Sequence, residues 1–164
     1  MVAANVGDEA EAPSLPQVGL AWSVHAAIDD TRRALVPTAR HDAGALRDAF
    51  ADVLARPERR RHGDGLLVEL TLIDGVNDGA ADAAALVRLL APLPGRTKVN
   101  LLPYNPTATT PSFRPAPAAS VKAFQSAVRD GGLLCTVRAA RGDGDAAACG
   151  QLAAQDGARD NPTP

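Results

Sequence analysis

Leu-Leu-Val-Glu-Leu-Thr-Leu-Ile followed by Asp-Gly-Val-Asn-Asp, residues 66–78 (LLVELTLIDGVND), decides the architecture. Leu66 to Ile73 is an apolar run of strand length that breaks into a polar turn. Asp78 can cap a following helix, whose buried side carries Leu86, Leu89 and Leu90 before Pro92 and Pro94 stop it. A near-continuous apolar strand that feeds a helix is the mark of a parallel sheet covered by helices. Glu69 is the exception inside the run. A carboxylate among apolar neighbours must be solvated, paired or hydrogen-bonded. Glu69 and Thr71 therefore either face outward in ordinary alternation or line a polar interior, and both readings stand.

The same unit recurs on either side. Upstream, Val18 to Ala26 (VGLAWSVHA) reads as a strand, and Asp29 to His41 as a polar segment broken at Pro37. Asp42 then caps a helix with Leu46, Phe50, Val53 and Leu54 on one stripe, ended by Pro57. Downstream, Lys98 to Tyr104 is a strand, and a Pro-rich loop covers Asn105 to Pro117. A helix presenting Val121, Phe124 and Val128 closes at Gly131-Gly132, and Leu133 to Arg138 is the last strand. The order is β-α-β-α-β-α-β, an α/β class fold. Residues 1–17 read as a loose lead-in, 18–154 as the domain and 155–164 as a disordered tail.

Composition supports a single globular unit. The 164 residues are 46% apolar and 22% charged, and the net charge of −2 is no basic footprint for nucleic acid. Aromatics are 3%, so the core must rely on Leu, Val and Ala. No stretch approaches the ~20 apolar residues of a membrane span, and the acidic N-terminus is no secretory signal. Two cysteines in unlike surroundings, Cys135 and Cys149, make no disulfide framework. A reducing compartment, cytoplasmic or organellar, is the expectation.

In parallel β/α folds chemistry gathers beyond the carboxyl ends of the strands. Here those ends carry Ser23-Val24-His25, Asp74 to Asn77, Tyr104-Asn105-Pro106 and the segment from Arg138 to Cys149. Ser23 and His25 alternate with Val24 and so share a strand face, from which they could hydrogen-bond a polar ligand or simply meet water. Asn105 precedes proline and has an amide that could read a nucleobase edge or serve a turn. Tyr104, the one tyrosine, suits stacking or packing. Cys149 has Ala147, Ala148 and Gly150 around it, which leaves room for a close approach to a reactive thiol, or marks a small packing site. Arg56, Arg59, Arg60 and Arg61 are a basic cluster open to RNA contact or to solvent. Asp74 and Asp78 lack metal-loop spacing, no His/Cys pattern matches zinc, and no Gly-rich phosphate loop occurs.

Four motifs, LAWSVHA, LVELTLIDGVND, VNLLPYNP and RGDGDAAACGQL, taken in order, resemble the C-terminal half of the RlmN/Cfr family, the RlmN type more closely. These are radical S-adenosylmethionine enzymes that methylate an adenine of 23S-type ribosomal RNA, and of some tRNAs. The resemblance spans residues 18–154 and implies the later βα units of a partial (β/α) barrel. It implies that Cys149 is the catalytic, methyl-carrying cysteine, and that Ser23, His25 and Asn105 contact S-adenosylmethionine. It also implies a 4Fe-4S cluster, yet the family's C-x-x-x-C-x-x-C ligand run is absent from this sequence. So are its Gly-Glu cofactor segment and its second, resolving cysteine. Cys135 occupies no family motif position and reads as a packed strand thiol. RGDGD stands where the family more often has RGDDI. The expectation is a fragment inactive as an isolated chain. A non-catalytic S-adenosylmethionine- or RNA-binding module, or half of a split enzyme with a cluster-bearing partner chain, is the alternative.

Overall fold

The computed structural model describes residues 19–57, 65–93, 97–106, 110 and 112–138. Among them the order is β1 (Leu20–Ser23), α1 (Asp29–Leu35), α2 (Ala43–Leu54), β2 (Leu66–Leu72), α3 (Ala80–Leu90), β3 (Thr97–Pro103), α4 (Ala118–Asp130) and β4 (Leu134–Val137). The lead-in, the tail, Arg59 to Arg61 and the whole RGDGDAAACGQL motif with Cys149 lie outside the described residues.

The four strands form one parallel sheet in the order β1-β2-β3-β4. Each strand sits beside its predecessor, so every right-handed crossover returns its helices to the same face. That face holds the core. Trp22 and Val24, then Leu66, Val68, Leu70 and Leu72, then Val99 and Leu101, then Cys135 pack against Leu54, Leu86, Leu90, Phe124 and Val128. The sparse aromatics are concentrated here, with Trp22 and Phe50 rings 5.4 Å apart. The opposite face of the sheet carries no helix among the described residues.

β2 alternates between buried and half-buried positions along its length. Glu69 and Thr71 lie on the helix-free face, and Glu69 is half-buried and hydrogen-bonded by the Asn100 amide at 3.2 Å. Glu69 and Thr71 thus follow the ordinary alternation, on the face away from the core, and Glu69 is in addition hydrogen-bonded there.

The helices follow their local chemistry, with some departures from expectation. Asp42 caps α2 by accepting from the Ala45 N–H at 2.6 Å, and α2 ends at Leu54, before Pro57. Asp78 does not cap α3. Its carboxylate accepts from the Gly75 N–H at 2.9 Å and closes the turn, while Gly79 is the N-cap and Asp82 reaches back to its N–H. The polar segment after β1 contains a helix, α1. Two acids in its first turn suit the positive end of the helix, and Asp29 also accepts from the Ala43 N–H at the start of α2. α4 closes at Gly131-Gly132, where Gly132 takes φ 84 as the C-terminal turn requires. Gln125 and Arg129 on α4 both donate to the Cys135 carbonyl, which fastens α4 to β4.

Candidate functional site

Parallel pairing brings all four carboxyl ends to one edge of the sheet. Ser23 is level with Glu69, Asn100 and Thr136, and Leu72 with Pro103. Ser23 therefore stands at the end of β1, His25 just past it and Asn105 just past β3. Ser23 and Asn105 are exposed and His25 is half-buried. Cys149 lies beyond β4, outside the described residues.

His25 departs from the expected strand alternation. β1 stops at Ser23, and His25 has φ 61, the left-handed region. The cause is the chain on either side of it. Val24 is wholly buried and its N–H bonds Glu69 O at 3.0 Å. Ala26 is also buried and its N–H turns back to Val24 O at 2.8 Å. Two buried neighbours and a tight turn force the reversal at the residue between them. Burial, and then the charge of the buried Arg32 guanidinium, hold the imidazole below its usual value of 6.5, in its neutral form at pH 7. Arg32 itself is anchored through Nη1 to His41 O at 2.8 Å.

The turn after β2 reaches the same place. Asn77 is 1% exposed and uses its whole amide: Oδ1 accepts from Ile73 N–H at 2.7 Å, and Nδ2 donates to Thr71 O at 2.9 Å and to His25 O at 2.7 Å. From the other side, the loop after β3 folds back over the end of β2. Asp74 N–H bonds Arg114 O and Ala116 N–H bonds Leu72 O. Tyr104 lies in that loop, bonded to the Thr110 hydroxyl and edge-on to Phe113, with ring centroids 6.1 Å apart. It packs within its own loop and is half-buried.

The helix-free face carries a polar row that sequence reading did not join. Ser23, Glu69, Asn100 and Thr136 occupy one register level across the four strands. Thr136 Oγ1 donates to Asn100 Oδ1 at 3.2 Å, and Asn100 Nδ2 donates to Glu69 Oε1 at 3.2 Å. The four residues lie on four separate strands, and the shared level emerges only from the pairing register. Asn77 was equally hard to see, since a turn asparagine gives no sign of burial.

Cys135 is 3% exposed, and burial pushes its thiol up to about 11, against the opposing charge of Arg129. It faces the helices, away from the strand ends. Among the described residues no group of three His, Cys, Asp or Glu side chains stands together as metal ligands. No helix among them is long and apolar enough to cross a membrane.

No family model matches the chain. Individual relatives do. The chain is 43% identical over 136 residues to the dual-specificity RNA methyltransferase RlmN of Sorangium cellulosum, covering 83% of this chain and 33% of that protein. The protein of the same name from Solidesulfovibrio magneticus is 40% identical over 137 residues, covering 83% and 37%. That from Psychrobacter arcticus is 36% identical over 143 residues, covering 84% and 33%. A radical SAM methyltransferase from Sphaerobacter thermophilus, known from its crystal structure, superposes with a TM-score of 0.68 at 37% identity, over 79% of this chain and 36% of that one. The chain thus spans about a third of the length of the curated relatives it matches.

Proposed function

The chain carries RlmN-family sequence over about 83% of its length, and from that premise we propose that it forms the later βα units of an S-adenosylmethionine-dependent RNA adenine methyltransferase. The substrate is an adenine of 23S-type ribosomal RNA or of tRNA, modified at carbon 2. One observation supports this most directly: in the parallel sheet Ser23 ends β1, His25 follows just past it and Asn105 lies just past β3, all toward the carboxyl side of the strands.

Their chemistry fits S-adenosylmethionine. The cofactor offers ribose hydroxyls, a nucleobase edge and a cationic sulfonium. Ser23 supplies a hydroxyl that donates or accepts, and Asn105 an amide that does both. His25, held neutral, offers a hydrogen bond without placing a second positive charge beside the sulfonium. Cys149 is the methyl acceptor. With S-adenosylmethionine bound, the Cys149 thiolate would take the methyl group from the sulfonium, with S-adenosylhomocysteine as the leaving group. The residues next to Cys149 in sequence, Ala148 and Gly150, are small, which suits a thiol that must meet a methyl donor and then an unstacked base.

The 4Fe-4S cluster does not fit this chain. It needs three thiolates, and the sequence holds two cysteines, of which Cys135 is buried with its thiol pushed up to about 11. No step through the cluster is assigned to these residues. A cluster would have to draw its ligands from outside these 164 residues.

The test is to assemble the chain with a cluster-bearing segment, supply S-adenosylmethionine labelled in its methyl group, and follow the label. Label should appear as a thioether on Cys149 and then in RNA. Cys149→Ala should abolish transfer to RNA and Cys135→Ala should leave it intact. Equal RNA methylation by Cys149→Ala and wild type overturns the proposal.

A further inference from the structure

We propose that Asn77 is a positioning residue that holds His25 in its left-handed backbone conformation and thereby aims the imidazole at the ligand beyond the strand ends. That the ligand is S-adenosylmethionine rests on the function proposed above. The clamp itself rests on geometry alone.

A turn asparagine needs only one local hydrogen bond, and Asn77 has one, to Ile73 N–H. Its two remaining protons leave the turn. One goes to Thr71 O on β2 and the other to His25 O, across 52 residues of sequence. Asn77 thus ties the end of β1 to the end of β2 through a side chain that is 1% exposed. Only asparagine meets all three demands there. Aspartate lacks the donors, serine has one donor, and glutamine is a methylene too long for a closed site.

The carbonyl it grips belongs to the strained residue. His25 is the non-glycine residue with positive φ among the described residues. Glycine would adopt that conformation without the steric penalty. A side chain kept where the backbone favours none, and supported by a fully bonded buried amide, marks a residue whose side chain is needed there. With Val24 and Ala26 both buried, the backbone on either side of His25 is fixed. The peptide plane after His25 is held at both ends, by the Ala26 N–H bond to Val24 O on one side and by the Asn77 amide on the His25 carbonyl on the other. The imidazole is then set by structure already present before any ligand arrives.

Four proteins test this: wild type, Asn77→Ser, His25→Gly and the double variant, each in the full chain. Calorimetric titration with S-adenosylmethionine reads affinity, and thermal melting reads stability. Asn77→Ser should weaken binding about tenfold when His25 is present. It should change binding less than about twofold when residue 25 is glycine. The melting loss from Asn77→Ser should likewise shrink in the His25→Gly background, because glycine holds the turn unaided. Equal losses in both backgrounds would make Asn77 a merely structural residue and overturn the clamp. If wild type takes up no S-adenosylmethionine, the cofactor reading fails, and the melting cycle still decides the clamp. If Asn77→Ser does not fold, NMR of the wild type decides. A scalar coupling between the Asn77 side-chain amide and the His25 carbonyl sustains the clamp, and its absence refutes it.

Discussion

Replacing Gly131 with alanine should destabilise the fold by driving a methyl group into Val87. Gly131 closes α4 at φ −74, a conformation any residue adopts, so the backbone itself raises no objection. The obstacle lies on α3. A Cβ at Gly131 would stand 2.6 Å from both Val87 Cγ atoms and 3.2 Å from its Cβ. Valine cannot turn out of the way. Its two methyls fill two of three staggered positions, so any rotation leaves one of the two clashing positions occupied. Either α3 and α4 part or the α4 terminus shifts. Overpacking of this kind costs about 1–3 kcal/mol. Alanine for glycine at a permitted φ restores roughly 0.4–1 kcal/mol through the unfolded chain. The net loss is about 1–2 kcal/mol, a fall of roughly 2–8 °C in melting midpoint for a chain of this length. Thermal melting of Gly131→Ala, Val87→Ala and the double variant is the assay. Val87→Ala removes both clashing methyls, so Gly131→Ala added to it should be neutral or stabilising. An equal cost in both backgrounds would refute the steric account.

Three further outcomes are expected. Asp42→Ala removes the cap on Ala45 N–H and should cost about 1 kcal/mol in chemical denaturation, while Asp78→Ala should leave α3 intact because Gly79 is its N-cap. Cys135 should resist alkylation at neutral pH until the protein unfolds, since its thiol ionises only near 11. Its folded value is raised above the ordinary thiol value of 9.0, so the stability it contributes is complete below that value and is lost as pH climbs towards 11; Cys135→Ala should flatten that alkaline loss. His25 runs the other way. Its folded value is lowered from 6.5, so its contribution is present at pH 7 and lost as pH falls through the folded value, and His25→Gln should weaken the acid dependence of melting below 6.5.

The strands and the larger helices were legible because each is an apolar run or stripe between proline and glycine stops. α1 was not, because a seven-residue helix rich in charge has no stripe long enough to register. Its stability comes from Asp29 and the buried Arg32 bonding to neighbouring segments, which are contacts across the chain. The cap of α3 was misplaced by one residue because Asp78 has two possible duties and the tight turn at Gly75, with φ 65, claimed it. Ser23, His25 and Asn105 were singled out by motif, and parallel pairing puts all three toward the carboxyl side of the strands. The reversal at His25 could not be read from alternation, which fails where a strand stops. Cys149 remains a reading of sequence motif, beyond the last described strand.

The polar row on the face that carries no helix among the described residues bears on how that side can be covered. Ala21, Leu67, Lys98 and Leu134 share the level beneath it, so an ammonium joins the Glu69 carboxylate on one face. Two copies stacked dry on those faces would strip water from four charges, and inward-pointing charges of this kind discourage sheets from aggregating. The hydroxyl of Thr136 and an Asn100 amide proton are already engaged along the row, and their direction leaves an acceptor, the second oxygen of Glu69, at the end next to β1. A surface that settles against this face without trapping that oxygen must therefore arrive with a hydrogen to give, or carry water in with it.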